Sequence, residues 1–244
     1  MVDAYPEHVV HVLVVNQDNA YVRAELERYW SVLSEDERFR AQRFYFDADK
    51  ERFVIGRALA RLQLSRFLGG DPRSWPLVTN RYGRPELATP TSPPIGFNVS
   101  HTPGLIACAV TATTDVGVDV EFTGRELTHD VAERFFAPAE VADLRRFAPD
   151  DQPRAFYDYW TLKEAYIKAR GMGLALPLAH FAFRLRPPEP PTISFDPEID
   201  DDPRTWQFAQ SSPTAEHRLA VAVRRPPGRD VEIRFETVVP RVPA

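Results

Sequence analysis

The chain of 244 residues is poor in cysteine and lysine: Cys108 stands alone, and only Lys50, Lys163 and Lys168 carry an ammonium. One cysteine excludes an internal disulfide, a thiolate zinc cluster and a small disulfide scaffold. Long apolar runs are also missing. The longest uninterrupted one, residues 105–110, is six residues, against the roughly 20 that a membrane-spanning helix needs. Asp3 and Glu7 precede the apolar stretch 9–15, where a secretory signal would carry positive charge. A soluble, cytoplasmic protein with no membrane partner is expected. At 43% hydrophobic and 27% charged residues the chain has ample length for a core, and disorder, collagen and coiled coil are excluded as its overall class.

The formal net charge of −5 argues against a nucleic-acid partner. The average conceals a segregation. Residues 38–84 hold eleven basic side chains, ten Arg and Lys50, against Asp47, Asp49, Glu51 and Asp71, so this segment is +7 and the remainder −12. A basic segment in an acidic chain reads either as a solvated arginine-rich helix face or as a local site for a small anion such as a nucleotide phosphate.

Patterning predicts a strand at residues 9–15, helix at 19–33 and a long helix over 34–68, opened by the capping box Ser34 to Glu37 and stopped at Gly69-Gly70. Residues 95–100, 105–111 and 116–121 read as three adjacent strands. Helices are predicted at 127–136, 138–146 and 154–170, the last closed by Gly171 in the position favoured for a C-cap. The proline-rich stretch 187–202 reads as a mobile excursion. Strands at 181–186, 206–210, 219–223 and 231–237 would complete a second sheet. Each half runs helix first and strands later, which predicts two similar α/β lobes meeting near residue 115.

Three places could hold chemistry. In Val116-Gly117-Val118-Asp119-Val120-Glu121 the strand period of two puts both carboxylates on one face; these are either a solvated strand end or oxygen ligands for a hard cation, and Gly117 permits close approach to the backbone. In the helix Trp160-Thr161-Leu162-Lys163-Glu164-Ala165-Tyr166-Ile167-Lys168, residues 160, 163, 164, 167 and 168 form one stripe carrying two lysines and a glutamate. That stripe is either a solvated face or the wall of a polar cleft. Two of three lysines in a chain with 27 arginines fall here, as a site that needs a compact ammonium would require. Asn98-Val99-Ser100-His101 ends a strand; neighbours on a strand face opposite ways, so Ser100 and His101 make no nucleophile-base pair, and an anion-binding turn is the better reading.

Together with Tyr82-Gly83-Arg84-Pro85 and Arg134-Phe135-Phe136 to Glu140, these motifs, in this order over about residues 38–185, resemble the 4′-phosphopantetheinyl transferases, in the larger monomeric type that activates peptide and polyketide synthases. The resemblance implies an α/β (α+β) pseudo-dimer of two similar lobes, residues 1–115 on the coenzyme A phosphate and adenine side and 116–244 carrying metal and catalytic helix, with CoA in the cleft between them. It implies Mg²⁺ on Asp119, Glu121 and Glu164; Ser100, His101 and Arg84 at the 3′-phosphoadenosine end; Arg40 and Arg52 as further phosphate contacts; Lys163 and Lys168 on the CoA side of the catalytic helix. Glu164, directly or through a metal-bound water, would take the proton of a carrier-protein serine, and Lys168 would stabilise the leaving phosphate. Glu37 stands where relatives have a lysine, with Arg38 as a substitute cation. The implied partners are CoA and apo acyl or peptidyl carrier proteins, with no nucleic acid and a monomeric state. The rivals are a CoA-binding protein of the same fold without transfer and a metal-dependent phosphoesterase.

Overall fold

A computed structural model describes residues 8–112, 115–125 and 131–243. The chain is a mixed α/β protein that divides into two compact units, Met1–Thr114 with Glu232–Ala244, and Asp115–Val231. Along the chain, the first unit holds β1 (Val9–Asn16), α1 (Ala20–Ala24), α2 (Leu26–Val32), α3 (Glu35–Gln42), α4 (Asp47–Leu68), the hairpin of β2 (Leu77–Thr79) and β3 (Pro85–Leu87), β4 (Gly96–Thr102) and β5 (Leu105–Thr111). The second holds β6 (Val116–Phe122), α5 (Val131–Phe135), α6 (Pro138–Leu144), α7 (Gln152–Arg170), β7 (Phe181–Arg186), β8 (Glu189–Phe195), β9 (Trp206–Ser211) and β10 (His217–Arg224); β11 (Glu232–Thr237) returns to the first.

In the first unit the strand order is β11-β1-β5-β4, with β1 parallel to β11 and the remaining pairs antiparallel. β1 and β5 are apolar along nearly their whole length because both of their faces are covered. Ile55 and Leu59 of α4 pack with Leu13, Ile106 and Val110 in one core. The long helix predicted over 34–68 is two helices, since the chain turns at residues 43–46. Phe44 leaves the helical path to pack on Phe53 at 5.4 Å between ring centroids, while Tyr45 is left 92% exposed. Ser34 does cap α3 in the predicted box, its hydroxyl accepting from the Glu37 N–H and the Glu37 carboxylate accepting from the Ser34 N–H.

In the second unit β10 is the central strand of the order β6-β10-β9, and β7 and β8 form a separate antiparallel pair. Three expectations need correction. β6 is not adjacent to β4 and β5, but opens this second sheet. The strand predicted over 231–237 does not complete that sheet: both edges of β10 are occupied by β6 and β9, whereas β1 has an edge left over, which β11 fills from Val9↔Glu232 to Val14↔Thr237. The division expected at 115/116 therefore has the carboxyl-terminal strand on the wrong side. Finally, residues 189–195 are a strand and no excursion. Pro190 and Pro191 lie in β8, which pairs on one side only, where a missing N–H is tolerated, and Ile193 sits opposite Phe183. The helix predicted over 127–136 begins outside the described residues; α5 accounts for 131–135.

Candidate active site

Helix α7 lies against β6 and β10, and Gly117 explains how closely. A Cβ at residue 117 would overlap the Ala165 carbonyl oxygen and stand 2.5 Å from the Ala169 nitrogen. The approach anticipated at this glycine is that of the helix backbone. It brings the outer half of β6 under the α7 face that carries Trp160, Glu164 and Lys168, which are spaced four residues apart. Gly171 ends the helix in the left-handed conformation at φ 64°.

Asp119, Glu121, Glu164 and Lys168 meet here. Asp119 is 2% exposed, and its Oδ1 accepts from the Lys168 ammonium at 2.5 Å. Burial, followed by the charge of Asp119, raises the Glu164 carboxyl to about 7, with Lys168 opposing and Glu121 adding to the rise. The same two causes raise Glu121 to about 6, with Lys168, Arg125 and the Trp160 indole acting the other way. Burial alone would lower the Lys168 ammonium, but Asp119, Glu164 and Glu121 more than offset it and hold it above the usual lysine value. Three carboxylates thus repel one another around a single ammonium.

These residues fit a hard divalent cation by donor chemistry, since all three acids offer oxygen and their mutual repulsion is relieved by added positive charge. Among the described residues no group of three or more His, Cys, Asp or Glu side chains is already closed to metal-holding geometry.

The repulsion makes a pH prediction. An acid whose folded-state value lies above its unfolded-state value opposes folding once ionised, so stability is full below about 4.5 and is lost as pH rises through about 7. In metal-free protein, Glu164→Gln should melt increasingly above wild type between pH 5 and pH 8, by an amount on the order of 2 kcal/mol. A melting difference that stays flat over this range would mean that Glu164 is not under strain.

The predicted stripe splits. Lys163 is wholly buried on another azimuth, paired with Glu140 at 2.7 Å and donating to the Leu178 and Phe181 carbonyls at 2.8 and 2.7 Å. An ammonium has three N–H groups, so none remains for a CoA phosphate, and the contact expected of Lys163 is corrected to one within the core. Glu140 gains its role by the same bond. Residues that sequence reasoning left unassigned are Trp160, Arg125 and Tyr157, the last raised by burial and then by Glu121. Trp160 and Tyr157 precede Glu164 by four and seven residues, a helical spacing that was available as a signal.

The remaining predicted residues lie in the first unit. Arg52 pairs with Asp49 and donates to Gln17 Oε1 at 3.1 Å. Arg40 is exposed, with its guanidinium 5.4 Å from the Phe53 ring centroid. Arg84 reaches the Phe97 carbonyl at 3.4 Å, on the strand that carries Ser100 and His101. Those two stand in β4 itself, with Ser100 buried and His101 exposed, so they face opposite ways as the alternation requires. Part of the +7 segment is consumed internally: Arg61, 1% exposed, pairs with Glu37 at 2.7 Å and donates to the Pro72 and Trp75 carbonyls. Glu37 therefore serves the core.

Residues 115–222 match the model of the 4′-phosphopantetheinyl transferase superfamily, and residues 21–113 match that of the 4′-phosphopantetheinyl transferase N-terminal region. A 4′-phosphopantetheinyl transferase of Bacillus subtilis is 34% identical over 212 residues, covering 87% of this chain and 91% of its own. The chain belongs to the 4′-phosphopantetheinyl transferase superfamily. Two further relatives of this transferase are HetI of a Nostoc species, 34% identical over 212 residues and 82% of each chain, and Sfp of Bacillus subtilis strain 168, 34% identical over 171 residues, 70% of this chain and 75% of its own. The boundary between the two matched regions, at 113/115, falls where the structure passes from one unit to the next. Among the described residues no helix is long and apolar enough to cross a membrane.

Proposed function

We propose that this enzyme transfers the 4′-phosphopantetheine group of CoA to a serine of an apo acyl or peptidyl carrier protein and releases 3′,5′-ADP. The observation that carries the reading is the convergence of Asp119, Glu121 and Glu164 on Lys168 in a chain related along 87% of its length to a 4′-phosphopantetheinyl transferase. Asp119, Glu121 and Glu164 would hold Mg²⁺. When bound, the ion supplies neutralisation of the pyrophosphate charge that builds during an in-line displacement.

The chain's own residues do the rest. The serine oxygen forms a bond to the β-phosphorus of CoA while the bond from that phosphorus to the bridging oxygen of 3′,5′-ADP breaks. Glu164 accepts the serine proton. Lys168 keeps its ammonium charged and stabilises the negative charge that collects on the leaving phosphate. Arg84, Ser100 and His101 are assigned to the 3′-phosphoadenosine end of CoA, and Arg40 and Arg52 to further phosphate contacts. Both units place a long helix against antiparallel strands, α4 on β4 and β5 and α7 on β6 and β10, which supports the expectation of two copies of one plan. The protein is taken to act as a cytoplasmic monomer.

The test is mass spectrometry of an apo carrier protein incubated with enzyme, CoA and Mg²⁺. One phosphopantetheine gained per serine is expected; free phosphopantetheine produced without any carrier would indicate hydrolysis and overturn the reading. Lys168→Arg sharpens it. A planar guanidinium replaces a compact ammonium 2.5 Å from Asp119, so kcat should fall at least about tenfold, or roughly 1.4 kcal/mol in the barrier, with CoA affinity largely kept. Wild-type turnover in this variant would remove Lys168 from the chemistry.

A further inference from the structure

Lys163 is next to Glu164 in the chain, yet the two side chains serve different places. Both Lys163 and Glu140 have fully buried side chains. The ammonium is held by the Glu140 carboxylate, the Leu178 carbonyl and the Phe181 carbonyl, and stands 4.4 Å from the centroid of the Phe181 ring. Glu140 accepts in turn from the Ala137 N–H at 2.9 Å and the Phe183 N–H at 2.8 Å. One ion pair thereby ties α7 to the start of α6, to the turn at residue 178 and to β7. A buried ion pair is seldom a gain in stability over well-packed apolar residues of the same volume, so its geometry calls for another explanation.

Successive residues of an α-helix are set about 100° apart around its axis. An anchor with three acceptors at residue 163 therefore fixes the azimuth of residue 164, and that of residue 168 further round. Gly117 fixes the distance of α7 from β6 on another face. We infer that the Glu140–Lys163 pair is a positioning device, which sets the rotation of α7 and so aims Glu164 and Lys168 at Asp119 and Glu121. This rests on the transfer reading above for the role of those four residues. It also accounts for a lysine at 163 in a chain that uses arginine almost everywhere: three acceptors converge on one nitrogen, a geometry that a planar fork does not match.

The experiment compares wild type with the neutral pair Glu140→Gln/Lys163→Met and with Lys163→Arg, reading kcat and KM for CoA, the melting temperature, and Mn²⁺ affinity of the metal-free protein by calorimetry. Misaiming by a fraction of an ångström predicts a kcat loss of at least about thirtyfold with KM for CoA within about threefold, in a folded protein. Mn²⁺ should bind at least about tenfold more weakly, since the Glu164 oxygen is displaced from the other two carboxylates. A folded variant with wild-type kcat and Mn²⁺ affinity would overturn the inference, and so would loss of fold in both variants, which would make the pair purely structural. If the wild type modified no carrier protein, the transfer reading would fail, and the Mn²⁺ comparison would still decide whether the pair aims Glu164.

Discussion

Asp119→Ala is expected to lose at least about a thousandfold in carrier modification, roughly 4 kcal/mol in the barrier, while remaining folded with a melting temperature close to that of wild type. Asp119 is the most buried of the three acids and the one whose charge acts on both of the others. Its removal takes away the shared member of the proposed metal site and the nearest partner of Lys168. Two effects oppose each other in the fold. Glu121 and Glu164 are relieved of a repelling charge, whereas Lys168 is left with weaker attraction from those same two acids. The side chain supports no apolar packing, so the balance is small. Turnover measured beside thermal melting separates the outcomes: activity within tenfold of wild type would dismiss Asp119 as a ligand, and an unfolded variant would show that the acid cluster holds the unit together.

What could be read from the letters follows from what local patterns encode. The period of two in β6 placed Asp119 and Glu121 on one face, and helical spacing together with Gly171 placed α7 and its end almost to the residue. Such signals are written in neighbouring residues. Pairing of distant strands is not: β11 meets β1 across more than two hundred residues, and its alternation would serve either sheet. The turn at residues 43–46 carries neither Gly nor Pro; it exists because Phe44 finds a place on Phe53, a tertiary effect. Proline in β8 spoke against a strand until the free edge was visible.

The site shows the same limit. Two of the chain's three lysines on one helical stripe signal something unusual in a chain with 27 arginines, and both Lys163 and Lys168 carried that signal. Only the structure separates them, because the acceptors of Lys163 are the backbone carbonyls of Leu178 and Phe181, which have no side-chain signature. Lys168 faces the acids. Glu37 is parallel: its place in the capping box was legible, but its partner Arg61, 24 residues on, was not.

The position with the least tolerance is Gly117. Its missing side chain allows the Ala165 carbonyl and the Ala169 nitrogen to lie against β6, and these are backbone atoms of a 19-residue helix that no single rotamer change can move aside. Gly117→Ala should force α7 away from the sheet as a body, because Val118 and Val120 are buried and β10 holds β6 in register from the other side. Overpacking of this kind costs about 3 kcal/mol or more, equivalent to a fall of about 10 °C in melting temperature for a unit of this size. Function should fail earlier than the fold. A shift of about 1 Å between helix and strand separates Glu164 and Lys168 from Asp119 and Glu121, and a misplacement of that size is worth on the order of a hundredfold in rate. Transfer by Gly117→Ala should therefore be nearly absent even at temperatures where circular dichroism reports a folded protein. Wild-type melting and wild-type turnover together would show that α7 has slack against β6, and that close packing at Gly117 is not what brings the acids to the helix.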